Sequence, residues 1–420
     1  VTAPENALVP PSRDHLPCPP LPIRLALPSA PEEKADLRSL PARPGVFALE
    51  DERGGTLALG ITADVRRLVR ARLAPPDEDA GPSRRIDFRG LARMVAATTV
   101  GSAFEADWAY LQLARERLPH TYASLLDRWR GWFIHANPQA DYPRFVKTNS
   151  PGSPPTGRTG VYLGPIADKH AAQRCIELLQ DLFDLCRYYH ILIEAPHATA
   201  CAYKEMGKCP APCDGSITMD EYRAMMQEAI DFAGGPIDEA VAAIESEMRR
   251  ASESLDFEAA ERLRRRLEAA RDLAKPPYRF VDRLERFRYL AVLPSERPEY
   301  ARLMLISGGW VEPLVDVPTD ASDEALEGVA LAIEERLTDP PADALSEESV
   351  QNIGLVCRYL FRPRKEKAAG EFVRIGRGLS AKTLSAPLRR IQGRLAKTAD
   401  ADDKQTTDDP FRDVVIEEAG

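Results

Sequence analysis

Cys201-Ala-Tyr-Lys-Glu-Met-Gly-Lys-Cys209-Pro-Ala-Pro-Cys213-Asp-Gly215 is the stretch from which this chain is best read. Three of the seven cysteines fall here within thirteen residues, and Gly207, Pro210, Pro212 and Gly215 impose turns that let the thiols converge. Cys186, fifteen residues upstream at the end of an apolar helical run, offers a fourth thiol. Sulfurs at Cys186, Cys201, Cys209 and Cys213 suit zinc or a 4Fe–4S cluster. Ordinary reduced, partly buried cysteines fit the same spacing, and both readings stand at this point.

The 420 residues, 44% of them hydrophobic, give room for about two to four small domains. Seven cysteines, an odd number scattered along the chain, argue against a disulfide framework. No apolar run has membrane-spanning length, and the opening residues lack a positive start followed by a signal-like core. A cytoplasmic protein without membrane contact is therefore expected. The net charge of −9 does not mark a nucleic-acid binder, but its distribution is uneven. Between Arg358 and Lys397 twelve Lys or Arg face two acids, and beyond Thr398 the tail turns acidic. The basic segment, with Arg389 and Arg390, can grip DNA phosphates; a solvated basic face has the same composition.

An α+β fold is expected. Residues 1–36 are rich in proline and without periodicity, and read as an unstructured leader. In 37–125, Leu40 to Leu49 reads as a turn into a strand, Asp51 to Gly55 as a hairpin turn and Thr56 to Gly60 as the returning strand. Asp64 to Leu73 is helical, with Val65, Leu68, Val69 and Leu73 on one side and Arg66, Arg67 and Arg70, candidate phosphate contacts, largely on the other. A further helix runs from Ser102 to Leu118. Residues 126–235 hold Trp129, Trp132 and Phe133 on an expected helical stretch, a helix from Lys169 to Phe183 that turns Cys175 inward, the cysteine segment and a helix from Asp220 to Phe232. In 236–275, Val241, Ile244, Met248 and then Ala259, Leu263, Leu267, Ala270 describe a helical hairpin turning at Ser254. Residues 276–397 read as a small α+β domain of three strands followed by helices at about Ser322 to Leu337 and Ser346 to Tyr359, with the basic end; 398–420 is the acidic tail. No Walker-type loop, metalloprotease helix or nucleophile elbow occurs.

Gly160-Val-Tyr-Leu-Gly-Pro165, the cysteine segment, Ile217-Thr-Met-Asp-Glu-Tyr222 and the earlier Asp141-Tyr-Pro143 resemble, in order and distance, the middle of the UvrC-like excinuclease subunits. Leu255-Asp-Phe-Glu-Ala-Ala-Glu-Arg-Leu-Arg264 is similar to the UVR motif shared by UvrB and UvrC. The resemblance implies a UVR helical hairpin that docks on a UvrB-like partner through Leu255, Phe257, Ala260, Leu263 and Arg264. Such a hairpin is too short to bury its own seam, so a second copy or the protein's own body must cover it. Relative to the family's cysteine pattern, Tyr188 occupies the position to which Cys186 is offset.

The strand, hairpin, strand and helix of 37–125 resemble the GIY-YIG nuclease domain with which the family begins. Gly45-Val46-Phe47 and Ala58-Leu59-Gly60 stand at the two signature triplets. The resemblance places the family's catalytic tyrosines at Phe47 and Ala58, its basic residues at Ile61 and Leu68, and its metal-holding glutamate at Tyr110. None of these side chains can do the corresponding job: Phe lacks the hydroxyl, and Ala, Ile and Leu carry no polar group. Glu105, one turn earlier, is the one carboxylate placed to rescue Mg²⁺ or Mn²⁺ binding. The expectation is a DNA-repair-associated protein, related to nucleotide excision repair, that binds DNA or a UvrB-like partner with its nuclease chemistry largely lost. The alternatives are an active single-incision endonuclease using Glu105, and a metal- or redox-sensing Fe–S or zinc protein.

Overall fold

The computed structural model describes residues 18–31, 33–75, 86–338, 345–362, 370–376, 378–401 and 413–417. Much of the expected leader and acidic tail lies outside these residues. The front segment forms β1 (Ile23–Ala26), β2 (Gly45–Glu50), β3 (Thr56–Thr62), α1 (Val65–Arg72), β4 (Met94–Thr99), α2 (Ala103–Arg117) and α3 (Ala123–Leu126). The middle forms β5 (Trp132–Ala136), β6 (Phe145–Thr148), β7 (Val161–Ile166), α4 (Lys169–Leu182), α5 (Tyr189–Leu192), α6 (Ala202–Glu205), α7 (Met219–Ala233), α8 (Ile237–Glu253), α9 (Phe257–Leu273) and β8 (Asp282–Arg283). The remainder forms β9 (Arg288–Pro294), β10 (Tyr300–Ser307), β11 (Trp310–Pro318), α10 (Asp323–Thr338), α11 (Glu347–Leu360), β12 (Glu371–Arg374), α12 (Ala381–Ala401) and β13 (Val414–Glu417). The fold is α+β, in two compact units: Val1–Trp129 with Arg288–Pro341 and Arg362–Gly420, and Arg130–Phe287 with Ala342–Phe361.

The first unit is built around α2. Phe104, Ala106, Trp108, Ala109, Tyr110, Leu111, Leu113 and Ala114 leave the helix apolar on every side, and all are buried. A helix without a polar face is stable in water only when enclosed. Two antiparallel sheets do this, one of order β1-β4-β2-β3-β13 and one of order β11-β10-β9-β12. α2 packs on β2 and β3 of the first. Toward the second, Phe104 meets Phe372 of β12 edge-on, with ring centroids 5.0 Å apart. A further core on the second sheet joins Leu290, Leu303 and Leu305 to Leu326 and Ile333 of α10 and Leu384, Leu388 and Ile391 of α12. The expected domain 276–397 is divided: residues 288–341 and 362–397 share the central helix with 37–125, while 276–287 and 342–361 belong to the other unit.

Glu105 is the buried charged residue on α2, whose Asp107, Gln112 and Arg115 to Arg117 are half-buried or exposed. Its Oε1 is paired with the Arg302 guanidinium from β10, and its Oε2 accepts the Gly101 N–H at 3.0 Å. Arg302 in turn donates through Nε to Asp316 Oδ1 of β11 at 2.8 Å. A buried carboxylate is tolerated only when matched in this way. Gly101 is required for the approach: a Cβ there would lie 2.3 Å from the Pro294 carbonyl oxygen.

Two sequence expectations are corrected here. Ile23–Ala26, inside the presumed leader, is an edge strand paired antiparallel with β4; Arg24 reaches the buried Glu50 carboxylate, which also takes Arg117. Ionic anchoring of the strand supplies what its sparse apolar pattern hides. Trp132 and Phe133 lie on strand β5, because the β-propensity of Trp-Phe-Ile outweighs the helical spacing read from three aromatics.

In the second unit the sheet runs β6-β5-β7-β8. Ile134 and Leu163 from its strands, Cys175, Ile176 and Leu179 from α4, and Tyr222, Met226 and Ile230 from α7 make one core. α7 begins with a capping box between Thr218 and Glu221. The hairpin α8/α9 packs at its base, where Ile244, Leu267 and Ala270 meet Leu182, Phe183 and Phe232. Its turn carries Leu255 and Phe257, which stay 71% and 67% exposed.

Leu267→Ala should therefore cost about 2–4 kcal/mol in urea unfolding, while Phe257→Ala should change stability by no more than about 0.5 kcal/mol. Glu105→Ala, which leaves Arg302 short of one partner, should cost about 3 kcal/mol by the same measurement.

Candidate functional site

The positions that the family resemblance marks as catalytic are gathered by the fold and sealed. β2 and β3 pair antiparallel with Phe47 opposite Gly60. Asp64 caps α1 by accepting the Arg67 N–H at 2.8 Å, and the amphipathic helix turns Leu68 to the sheet. Phe47, Ala58 and Leu68 belong to one hydrophobic core with Leu49, Val65, Val69 and Val95. Ile61 and Tyr110 are also buried, and burial pushes the Tyr110 phenol well above its ordinary range. Glu105 faces Arg302 and the Gly101 amide; burial raises its carboxyl pKa, opposed by the Arg302 charge. Both oxygens are engaged, so this carboxylate is a structural bridge.

The candidate phosphate-binding arginines are mostly committed to the protein itself. Arg66 donates to the Leu40 and Arg38 carbonyls at 2.7 and 2.9 Å. Arg67 pairs with Asp413 at 2.6 Å, and Arg390 with Glu371 at 3.3 Å. Arg70 and Arg389 are exposed, and Arg389 donates to the Ser385 hydroxyl at 3.4 Å. Sequence spacing had grouped Arg66, Arg67 and Arg70 as one charged face; backbone carbonyls and a distant carboxylate divide them.

The cysteine segment folds as a knuckle. Ala211 and Gly215, both with positive φ, bracket the 3₁₀ turn Pro212–Asp214 and carry Cys213 back toward Cys209. The Cys186 thiol donates to the Tyr188 carbonyl at 3.6 Å, and the proximity of Cys186 and Cys209 raises the first thiol and lowers the second to about 7. Burial raises Cys213, with further increments from the charges of Cys209, Asp214 and Cys201. Cys186, Cys209 and Cys213 thus lie close together, with Cys201 beside Cys213. Arg187 organises the surroundings, donating to the Lys208 carbonyl at 3.2 Å and lying 4.3 Å over the Tyr203 ring. Tyr188, at the family's cysteine position, stacks obliquely near Tyr203, with centroids 5.8 Å apart. The donor set has the chemistry for a soft metal, yet among the described residues no group of three or more His, Cys, Asp or Glu is arranged to hold an ion.

The hairpin turn is the third site. Asp256 caps α9 by accepting the Ala259 N–H at 3.0 Å. Leu255 sits at φ +58°, a conformation that costs a branched residue on the order of 1–2 kcal/mol. Leucine here is both strained and exposed, so stability does not account for it. That backbone strain is a functional sign the sequence did not carry. Ala260 and Leu263 are half-buried, the latter against the core of the hairpin base. Arg264 is held by Glu261 at 2.7 Å and Glu268 at 2.5 Å. No helix among the described residues is long and apolar enough to cross a membrane.

Comparison with known proteins places these observations. The pattern of the UvrC/Cho excinuclease middle domain matches residues 132–232, and that of the UvrB/uvrC motif matches 238–273. UvrABC system protein C of Acetivibrio thermocellus is 22% identical over 376 residues, 87% of this chain and 59% of the relative. Its namesake in Hyphomonas neptunium is 30% identical over 242 residues, 56% of this chain and 37% of the relative. That of Alkaliphilus oremlandii is 24% identical, covering 80% of this chain and 54% of the relative. The chain spans between 37% and 59% of the length of these curated relatives. No solved structure matches it. The excinuclease middle domain and the UVR motif thus follow one another in the second unit, and these two regions of the chain are similar to UvrC.

Proposed function

We propose that this chain works in DNA repair of the nucleotide-excision type by docking on a UvrB-like partner through its hairpin turn, and contacts DNA without cutting it. The observation that carries the reading is the turn itself, where Leu255 and Phe257 project at 71% and 67% exposure from a hairpin whose base is already packed. The base satisfies stability, and the tip is left for association. A matching hairpin would cover both apolar residues, with Arg264 and its neighbouring glutamates at the rim. Relatives named as components of the UvrABC system support the same partner. Loss of cutting is supported by Phe47, Ala58 and Leu68 being core residues and by the Arg302 clamp on Glu105. Exposed Arg70 and Arg389 are the DNA contacts this reading retains.

A second reading concerns the knuckle. The proximity of Cys186, Cys209 and Cys213 supports a zinc or 4Fe–4S site to which Cys201 would add the fourth thiol, for which the thiols would have to close together from their present positions. When bound, such a group would supply a structural cross-link or an electron-transfer centre. In the protein's own chemistry, the lowered Cys209 is the thiolate presented first, and the Arg187 charge helps to keep it ionised.

Binding of a UvrB-type UVR hairpin, followed by titration calorimetry, should weaken at least tenfold, about 1.4 kcal/mol, in Phe257→Ala with the unfolding transition unchanged. Equal affinity in wild type and variant would refute the docking reading. Purified protein with damaged duplex and Mg²⁺ or Mn²⁺ should give no incision; incision abolished by Glu105→Ala in a folded variant would establish the endonuclease instead. Anaerobically purified protein should carry iron or zinc that Cys209→Ser loses, and a metal content equal in the two proteins would remove the second reading.

A further inference from the structure

The chain's own C-terminal residues occupy the face on which the former nuclease positions lie. β13 adds antiparallel to β3, with Val414 opposite Ile61, Val415 opposite Gly60, Ile416 opposite Leu59 and Glu417 opposite Ala58. These are the residues of the second signature triplet and the position that follows it. Val415 packs on the core that contains Phe47, Ala58 and Leu68. Gly60 makes that close approach feasible, since a Cβ there would lie 2.7 Å from the Phe47 ring and 2.9 Å from Val415 Cγ2. Both ends of the strand are fixed by charge. Asp413 accepts the Thr62 hydroxyl at 2.6 Å and pairs with Arg67 at 2.6 Å, and Glu417 pairs with Arg72 at 2.8 Å.

The arrangement has the grammar of strand addition: main-chain pairing along a sheet edge, with side chains at alternate positions choosing the sequence. The lining is apolar, and two arginines of α1 stand where the acidic ends of the strand need them. The strand itself is four residues long and only half-buried throughout, so few interactions hold it.

We propose that the emptied nuclease site is a strand-acceptor groove that recognises three consecutive aliphatic residues between two carboxylates. Asp413-Val-Val-Ile-Glu417 is its resident ligand, and an extended segment of the same chemistry from another chain exchanges with it. The inference rests on the strand pairing and the charge match, and it stands whether or not the hairpin docks on a UvrB-like protein. The resident strand belongs to the same chain as the groove, so a competitor from another chain must work against an intramolecular occupant. Without an occupant, β3 would present an open apolar edge.

The test uses the full chain and a fluorescent peptide of the sequence Pro410 to Gly420. Val415→Asp, which places a carboxylate in the core, should release the resident strand and bind the peptide at least tenfold more tightly than wild type. Adding Arg67→Glu and Arg72→Glu should reverse that gain. Equal binding by wild type and Val415→Asp, or binding by neither, would overturn the proposal. A measurement on the wild type alone covers a Val415→Asp chain that fails to fold. There, hydrogen exchange at 413–417 should be slow and should accelerate at least threefold with millimolar isotope-labelled peptide; fast exchange without peptide, or no acceleration with it, contradicts the groove.

Discussion

Helix α2 is the constraint from which the rest of the first unit follows. A segment with aromatic or aliphatic residues on every side cannot lie on a surface, and its burial between two sheets removes Glu105 and Tyr110 from solvent. Once enclosed, a carboxylate must find matching charge, and Arg302 supplies it from the second sheet. The residue that would have to open toward a metal is instead the electrostatic tie between the central helix and a strand nearly two hundred positions away. The helix also meets β2 and β3, where Phe47 and Ala58, two positions the resemblance marks as catalytic, are core residues. Packing and chemistry compete for the same side chains, and here packing holds them.

The hairpin in the second unit divides the same competition along its length. Its base contributes Ile244, Leu267 and Ala270 to a shared core, and its turn keeps a strained, exposed leucine beside an exposed phenylalanine. One end answers to stability and the other to association, so a single element can be both anchored and available. The knuckle shows a related division: Cys175 and Cys357 are wholly buried, which raises both thiols and leaves them inert, whereas Cys186 and Cys209 interact with each other and are tuned in opposite directions.

Much of this was legible in the chain. The hairpin, the α4 face with Cys175 inward, β9 to β11 and helices α10 and α11 follow from apolar periodicity, which is local, whereas β12 and α12 lay in a segment read only for its basic charge. What the sequence did not disclose depends on distant partners. Nothing near Glu105 announces Arg302, and Arg67 looks like a solvated cation until Asp413 is placed beside it. The Val-Val-Ile run was hidden inside an acidic tail whose charge dominated the reading, although three aliphatic β-branched residues in a row are a strand signal. Ile23–Ala26 was missed for a similar reason: its edge position is secured by Arg24 and Glu50, a contact across more than twenty residues. Leu255 reads as an ordinary turn residue, and only its dihedral angle separates it from one.

The central proposal is that the positions which the family resemblance marks as catalytic serve packing. The most direct measurement is Mn²⁺ binding followed by electron paramagnetic resonance on the wild-type chain and on Glu105→Gln. The account predicts the same weak, unsaturated binding by both proteins, because the Glu105 carboxylate is already held by Arg302 and the Gly101 amide. A saturable Mn²⁺ site in the wild type that disappears in Glu105→Gln would contradict it.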